Sequence, residues 1–133
     1  MKELIKNKLE KYEYKYSEHN DILSINLGLS LYVNVEFQEN SKVKMTDKLK
    51  GWNFLTGMLS MSIKASMIYQ TIGLFVTIFL LPYFIISKTH SNLLIPALFL
   101  LVGMTAWIIL WSFYYFIKSE NMKKQIVLWI EQK

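Results

Sequence analysis

The chain has 133 residues, a formal net charge of +5 and 53% hydrophobic residues, and it contains no cysteine. This length leaves room for one small folded domain plus a membrane segment, and the absence of cysteine excludes disulfides, thiolate nucleophiles and thiolate metal sites. Every cationic side chain is a lysine. Because lysine cannot make the bidentate guanidinium contacts that are common in base readout, nucleic-acid recognition is disfavoured.

The first 50 residues predict a short helix followed by four strands. Ile5, Leu9 and Tyr12 form one apolar stripe on a helix from Lys2 to about Lys11. Apolar and polar residues then alternate, as in half-buried strands, over positions 12–16, 23–27, 31–37 and 42–49, with Asp47 breaking the last apolar face. Short turn-forming connections favour an antiparallel meander, so we predict an α+β fold for a cytoplasmic domain over residues 1–66.

Residues 52–66 predict a helix that links the sheet to the membrane. Thr56, Ser60 and Lys64 recur at intervals of four, and apolar residues fill most of the positions between them. This pattern is typical of a helix with a narrow polar stripe, which could lie in the membrane interface or under the sheet. We expect Trp52 and Lys64 to contact lipid or a protein partner.

Two long uncharged runs predict a transmembrane hairpin over residues 67–117. The spans cover about 68–86 and 93–117, and Lys88 is the only charged residue between positions 68 and 117. Each run has roughly the 20 residues needed to cross about 30 Å of hydrocarbon. The residues between the two runs allow only a tight turn.

Lysines flank the hairpin at both of its ends, whereas the turn has only Lys88. The positive-inside rule then places both termini in the cytoplasm. Lysine without arginine, together with abundant isoleucine and asparagine, indicates an AT-rich bacterial genome, so we expect a multi-pass protein of the bacterial inner (cytoplasmic) membrane. An interfacial aromatic belt of Trp111, Tyr114 and Tyr115 precedes Lys118. Trp111 and Tyr114 are further predicted contacts for lipid or a partner.

Small or weakly polar residues mark one face of the helix that contains the first predicted span. They are Ser66, Gln70, Gly73 and Thr77. Spacings of three and four place them on one side of a helix, and Gly103 and Ala106 could form the matching surface on the second helix. We expect these residues to close the hairpin, with a homo-oligomer seam or a polar pore lining as the alternatives.

The last segment, 118–133, predicts a short amphipathic cytoplasmic helix. Met122, Ile126 and Trp129 lie on one face of it. This face could dock on the sheet, lie on lipid or bind a partner, and docking within the chain is favoured. Trp129 keeps the partner interpretation open, because buried tryptophans often anchor interfaces.

Motifs for catalysis and ligand binding are missing from the sequence. His19 and His90 would lie on opposite sides of the membrane, and no glycine-rich segment is followed by the lysine of a phosphate-binding loop. The segment 18–21 is interpreted as a polar turn rather than a metal site. We therefore predict no enzyme, cofactor, metal site or small-molecule substrate.

The leading functional hypothesis is a non-catalytic adaptor or accessory subunit that holds a protein partner at the lipid bilayer. The alternative is a membrane-active effector or small oligomeric channel that assembles through the faces of the hairpin. Because neither span contains Asp, Glu, Lys or Arg, coupled transport is disfavoured. A membrane enzyme that acts on lipid is a third hypothesis, which would require groups that we interpret as structural.

Overall fold

A computed structural model describes residues 1–38, 42–87 and 94–131. These residues form one antiparallel sheet, a short helix before it and two long helices after it. The elements in chain order are α1 (Lys2–Lys11), β1 (Lys15–His19), β2 (Ile22–Gly28), β3 (Leu31–Phe37), β4 (Val43–Leu49), α2 (Ile63–Ser87) and α3 (Leu94–Glu131). The predicted α+β layout is confirmed.

The sheet is a meander with the strand order β1-β2-β3-β4, in which each strand is antiparallel to the next. Alternation along the strands separates a buried apolar face from a polar face, as the sequence predicts. The side chains on the inner face of the two central strands are almost completely buried: Leu23, Ile25, Leu27, Leu31, Val33 and Val35. Polar residues such as Ser24 and Asn34 point the other way.

The first strand begins later than the alternation at 12–16 predicts. Helix α1 ends with Tyr12 donating its N–H to the Lys8 carbonyl (3.0 Å) and Tyr14 donating to the Leu9 carbonyl (2.9 Å). Glu13 has a left-handed φ of 57°, which is the conformation that glycine usually supplies at this place after a helix. These residues therefore end α1, and β1 starts only at Lys15.

Helices α1 and α3 cover the apolar face of the sheet. Ile5 and Leu9 of α1 and the C-terminal part of α3, including Ile126, belong to one buried core with the strands. Trp129 is 7% exposed, and its ring stacks on that of Tyr12 with 5.7 Å between the centroids. The tail therefore docks on its own sheet domain, and Trp129 is a core residue rather than an exposed contact.

The predicted division between a second span and a separate tail helix is wrong. Helix α3 is continuous over 38 residues, from Leu94 to Glu131. No glycine or proline occurs between residues 104 and 131, and the charges that begin at Lys118 do not end the helix. One helix therefore forms both the second apolar segment and part of the domain core.

The predicted linking helix over residues 52–66 is also wrong. Helix α2 begins at Ile63, and the preceding residues form turns, with Asn53 and Gly57 paired in an isolated antiparallel bridge. Gly51 and Gly57 have φ values of 81° and 64°, which a helix does not tolerate. We call residues 51–62 the junction loop.

Helices α2 and α3 are both long and apolar enough to cross a membrane. Only 6% of the most apolar 18-residue window of each helix is buried, so neither resembles the enclosed core helix of a water-soluble protein. The predicted turn after Ser87 lies outside the described residues.

Candidate functional site

Tyr115 of α3 joins the sheet domain to the apolar helices. Its side chain is fully buried, and its hydroxyl donates a hydrogen bond to the Leu29 carbonyl (3.0 Å) and accepts one from the Phe54 N–H (3.3 Å). Leu29 belongs to the turn between β2 and β3, and Phe54 belongs to the junction loop. A single hydroxyl therefore ties two loops at one end of the sheet to α3.

Aromatic rings surround this junction. Phe54 stacks on Trp111 with 4.0 Å between the ring centroids, and Trp52 packs edge-on against Phe54 at 4.8 Å. The indole N–H of Trp107 donates to the Phe54 carbonyl at 2.9 Å. Each such ring pair contributes about 0.5–1.5 kcal/mol beyond its area of burial. The junction loop is thus held firmly against α3, and the predicted contact residues Trp52 and Trp111 lie in one cluster.

Tyr114 and Lys64 lie at the edge of the junction. The Lys118 ammonium donates to the Tyr114 hydroxyl at 3.0 Å and lies 5.2 Å from the centroid of its ring. Tyr114 and Lys64 are both exposed. They are therefore available for contacts outside the chain, as are Trp52 and its neighbours in the junction loop.

A second connection is made by Asp47 of β4. Its carboxylate accepts a hydrogen bond from the Ile63 N–H at the start of α2 (2.7 Å) and one from the Lys123 ammonium of α3 (3.1 Å). A carboxylate at a helix N-terminus satisfies a free N–H and interacts favourably with the helix dipole. The break that Asp47 makes in the apolar pattern of β4 is thus the point where the sheet holds both long helices.

Lys123 remains protonated in this site. Burial alone would lower the pKa of its ammonium, but hydrogen bonds to Glu120 (2.8 Å) and Asp47 outweigh the burial and raise the pKa above its usual value of 10.5. The ion pair is therefore intact at neutral pH.

The inner contact between α2 and α3 uses part of the predicted small-residue face. On α2 the less exposed positions recur every three or four residues: Ser66, Gln70, Leu74, Thr77 and Leu81. Gly73 is exposed, and a Cβ atom there would meet no described atom of another segment within 4 Å; the same holds for Gly103. Ala106 is exposed as well. The described contact between the helices is therefore made by side chains, and the two glycines face outward.

An apolar groove of about 370 Å³ lies between the two helices. Its lining is Met67, Thr71, Ile108, Ile109, Ser112, Phe113 and Phe116. The Ser112 hydroxyl is buried and makes no hydrogen bond within the described chain. With so few polar groups, this groove is suited to hydrocarbon or to another apolar side chain.

The outer face of the sheet carries a row of small polar side chains in register. Ser17 lies opposite Ser24, Ser24 opposite Asn34, and Asn34 opposite Thr46, so the row crosses all four strands. The Ser24 hydroxyl donates to Asn34 Oδ1 at 2.9 Å. This arrangement gives a flat, hydrogen-bonding surface on the side of the sheet away from the core.

A group of ion pairs fastens α1 to β1. Glu18 accepts hydrogen bonds from Lys2 and Lys6, and these lower the pKa of its carboxyl from 4.5 to about 2. Lys2 also contacts Asp21 at 2.8 Å. Within the described ranges, no group of three or more His, Asp or Glu side chains could hold a metal ion. In the polar segment 18–21, Glu18 and Asp21 pair with lysines of α1.

No protein-family model matches the sequence, and neither the curated proteins nor the solved structures contain a significant match. Function is therefore inferred from the geometry of the chain itself.

Proposed function

We propose that the chain is a two-span membrane protein and acts as a non-catalytic adaptor that holds a protein partner at the bilayer surface. The observation that carries this proposal is the continuity of α3, which is apolar and exposed over its first part and buried in the core of the sheet domain over its last part. A domain mounted on a continuous helix is fixed in orientation to the membrane.

Exposed apolar side chains on both long helices support the membrane assignment. Phe79 of α2 is 76% exposed, and Phe99 and Val102 of α3 are 74% and 67% exposed. Apolar surface on this scale is rare on monomeric soluble proteins. The 25 residues of α2 measure about 37 Å at 1.5 Å per residue, enough to cross the hydrocarbon.

The position of the two ends of the chain supports the proposed topology. Helix α1 and the C-terminal part of α3 pack on the same sheet, which agrees with two crossings and with both termini on one side. The lysine bias favours the cytoplasmic side of a bacterial inner membrane.

The outer face of the sheet is the proposed surface for the partner. Its row of Ser17, Ser24, Asn34 and Thr46 offers donors and acceptors at regular spacing, and none of these residues is needed to fill the core. A catalytic role has no support from a converging set of titratable groups in the described chain.

Purification of the complex tests this proposal. The full chain is extracted from native membranes in a mild detergent, and the proteins that co-purify in stoichiometric amount are identified. Asn34→Arg places a long cation in the polar row and should remove the partner, whereas Asn7→Arg makes the same change on the exposed side of α1 and should retain it. A chain that purifies alone, or a partner lost equally from both variants, would contradict the adaptor proposal.

The outward-facing Gly73 favours a second candidate function, an oligomeric channel or membrane-active effector. Open space around this glycine would let a helix of another copy approach closely. Reconstituted protein would then release a trapped dye from liposomes, and Gly73→Leu would abolish the release. Liposomes that stay intact at high protein density would exclude this candidate.

A further inference from the structure

The end of the sheet nearest the apolar helices exposes large apolar side chains on two loops. In the junction loop, Trp52 is 60%, Met58 82% and Leu59 48% exposed. In the turn between β2 and β3, Leu29 is 45% exposed and has a left-handed φ of 49°. Asparagine or glycine is the usual residue in such a turn. A leucine that is nearly half exposed there gains little burial within the chain to offset its backbone strain.

The level of the junction loop along α3 can be read from its contacts. The Phe54 carbonyl bonds to the indole N–H of Trp107, and Trp107 lies eleven residues before Lys118, which is the first charged residue of α3. At 1.5 Å per residue this separation is about 16 Å along the helix. The Phe54 N–H also bonds to the Tyr115 hydroxyl, so the junction loop lies beside the stretch of α3 between Tyr115 and Trp107, on the apolar side of Lys118.

The part of α3 beside the junction loop is itself exposed and apolar. Leu110 is 61%, Phe113 62% and Ile117 53% exposed. Hydrocarbon that covers these side chains would also reach the loop packed against the same helix. The apolar surface of the loop thus lies at the same level along α3 as this exposed apolar surface.

Part of the backbone of the junction loop is hydrogen-bonded within the loop, largely by Asn53, which is 1% exposed. Its amide donates to the carbonyls of Gly51 (3.2 Å) and Gly57 (3.0 Å), and its Oδ1 accepts from the N–H groups of Leu55 (3.1 Å) and Thr56 (2.8 Å). The backbones of Asn53 and Gly57 also bond to each other in both directions. These bonds lower the cost of placing the loop at the membrane boundary, because unpaired polar groups cost several kcal/mol in a low dielectric.

We infer that the junction loop and the Leu29 turn insert into the lipid layer on the side of the sheet domain, at the boundary between headgroups and acyl chains. This inference rests on the proposed membrane hairpin. Trp52, Met58, Leu59 and Leu29 are the inserted side chains, and the exposed Lys50 and Lys64 flank the loop where anionic headgroups would meet them. The inserted loops set the depth and tilt of the sheet domain.

Depth measurements with single cysteines test the inference, since the chain has no native cysteine. Met58→Cys, Leu29→Cys, Phe79→Cys and Ser17→Cys are each labelled with an environment-sensitive fluorophore in full-length protein reconstituted into phosphatidylcholine–phosphatidylglycerol vesicles. Phe79 reports the middle of α2, and Ser17 reports the exposed first strand. Quenching by spin-labelled lipids is compared with quenching by aqueous iodide.

Insertion predicts blue-shifted emission at positions 58 and 29, strong quenching by lipids labelled near the headgroup and little quenching by iodide, with the reverse at Ser17. Phe79 should be quenched by lipids labelled deep in the acyl chain. If the label at position 79 is quenched by deep lipids but the labels at positions 58 and 29 are quenched by iodide, the proposal of inserted loops is wrong and the proposal of a membrane hairpin is retained. If Phe79 is also open to iodide, both proposals are wrong.

Discussion

The hydroxyl of Tyr115 donates a hydrogen bond to the backbone carbonyl of Leu29, 86 residues away in the chain, over 3.0 Å. The same oxygen accepts the N–H of Phe54. This buried hydroxyl bonds to backbone groups of two different loops. Removing it would leave both groups without this partner, which costs free energy. Tyr115 is therefore a sensitive position at the junction between the sheet and the long helices.

Tyr115→Phe should lower the free energy of unfolding by about 1–3 kcal/mol, since two partly buried backbone groups lose their bond. Tyr114→Phe is the matched control on the exposed side of α3 and should cost less than about 0.5 kcal/mol. Titration with dodecyl sulfate in mixed micelles, followed by tryptophan fluorescence, measures both values. Equal losses would show that Tyr115 does not hold the two loops.

Asp47→Ala should lower the free energy of unfolding by about 1–3 kcal/mol, because the first N–H of α2 loses its cap and Lys123 loses one of its two carboxylate partners. Asp47→Asn should lose less, since an amide oxygen can still accept from Ile63. Asp21→Asn, at a side chain that is 83% exposed, keeps a residue that tolerates the left-handed φ of 60° at this position and should have almost no effect. The same micelle titration separates the three variants, and an Asp21 effect as large as that of Asp47 would argue against the cap.

The ion pairs of Glu18 should give the sheet domain a defined acid sensitivity. A carboxyl whose pKa is lower in the folded than in the unfolded state stabilises the fold above its unfolded pKa. With values of about 2 and 4.5, this contribution is complete above pH 4.5 and is lost as the pH falls toward 2. Glu18→Gln should therefore flatten this part of the stability profile, and Glu131→Gln at the end of α3 should leave it unchanged. The profile is measured by circular dichroism, and high salt should reduce the difference, since the pairs are exposed.

Two substitutions on α2 should differ sharply in their effect on the contact between the long helices. Ser66→Leu forces a larger side chain into a position with no exposure and should cost about 1–3 kcal/mol. Gly73→Leu enters open space and should leave the stability of the monomer unchanged. Both are measured by thermal denaturation in detergent at a dilution that excludes oligomers. The opposite order would place Gly73 inside the hairpin.

Trp129→Ala should destabilise the sheet domain by about 3–5 kcal/mol, because a large buried ring leaves a cavity. Leu128→Ala changes the adjacent side chain, which is 53% exposed, and should cost less than about 0.5 kcal/mol. Chemical denaturation followed by far-ultraviolet circular dichroism distinguishes the two. Similar values would mean that the end of α3 does not dock on the sheet.

Strands β2, β3 and β4 could be predicted from the sequence because the alternation of apolar and polar residues shows which side chains are buried. Leu23, Ile25 and Leu31 alternate with polar residues, and the structure buries them on one face. A period of two over several residues is typical of a strand with one face in a core. The same holds for α1, whose apolar spacing of four places Ile5 and Leu9 in the core.

The start of β1 and the junction loop could not be predicted in the same way. Glu13 adopts a left-handed conformation that a glutamate in the sequence does not predict. In the junction loop the apolar content matched a helix, while the structure depends on the positive φ of Gly51 and Gly57 and on the side-chain bonds of Asn53. The signal that was present is the pair of glycines around an asparagine, which is typical of turns.

The continuity of α3 was hidden by a change in composition. Charges begin at Lys118 and divide an uncharged apolar segment from an amphipathic one. The helix propensity of the residues does not change at this point. Tyr115 was predicted only as part of an aromatic belt, because a hydrogen bond to a turn 86 residues away has no local signature. Asp47 is the clearest missed signal, since one carboxylate in an apolar strand face requires a partner.

Helix α3 also fixes the distance and the rotation between the apolar segment and the sheet domain. One residue inserted between Trp111 and Tyr115 would turn everything that follows by about 100° and lift it by about 1.5 Å. The insertion would change the angle between the side of α3 that is exposed before it and the side of α3 that packs in the core after it. Seven inserted residues would nearly restore the phase, to within about 20°, but would raise the sheet by about 10 Å. The length of α3 therefore sets both the distance of the sheet from the apolar segment of α3 and the direction that the sheet faces.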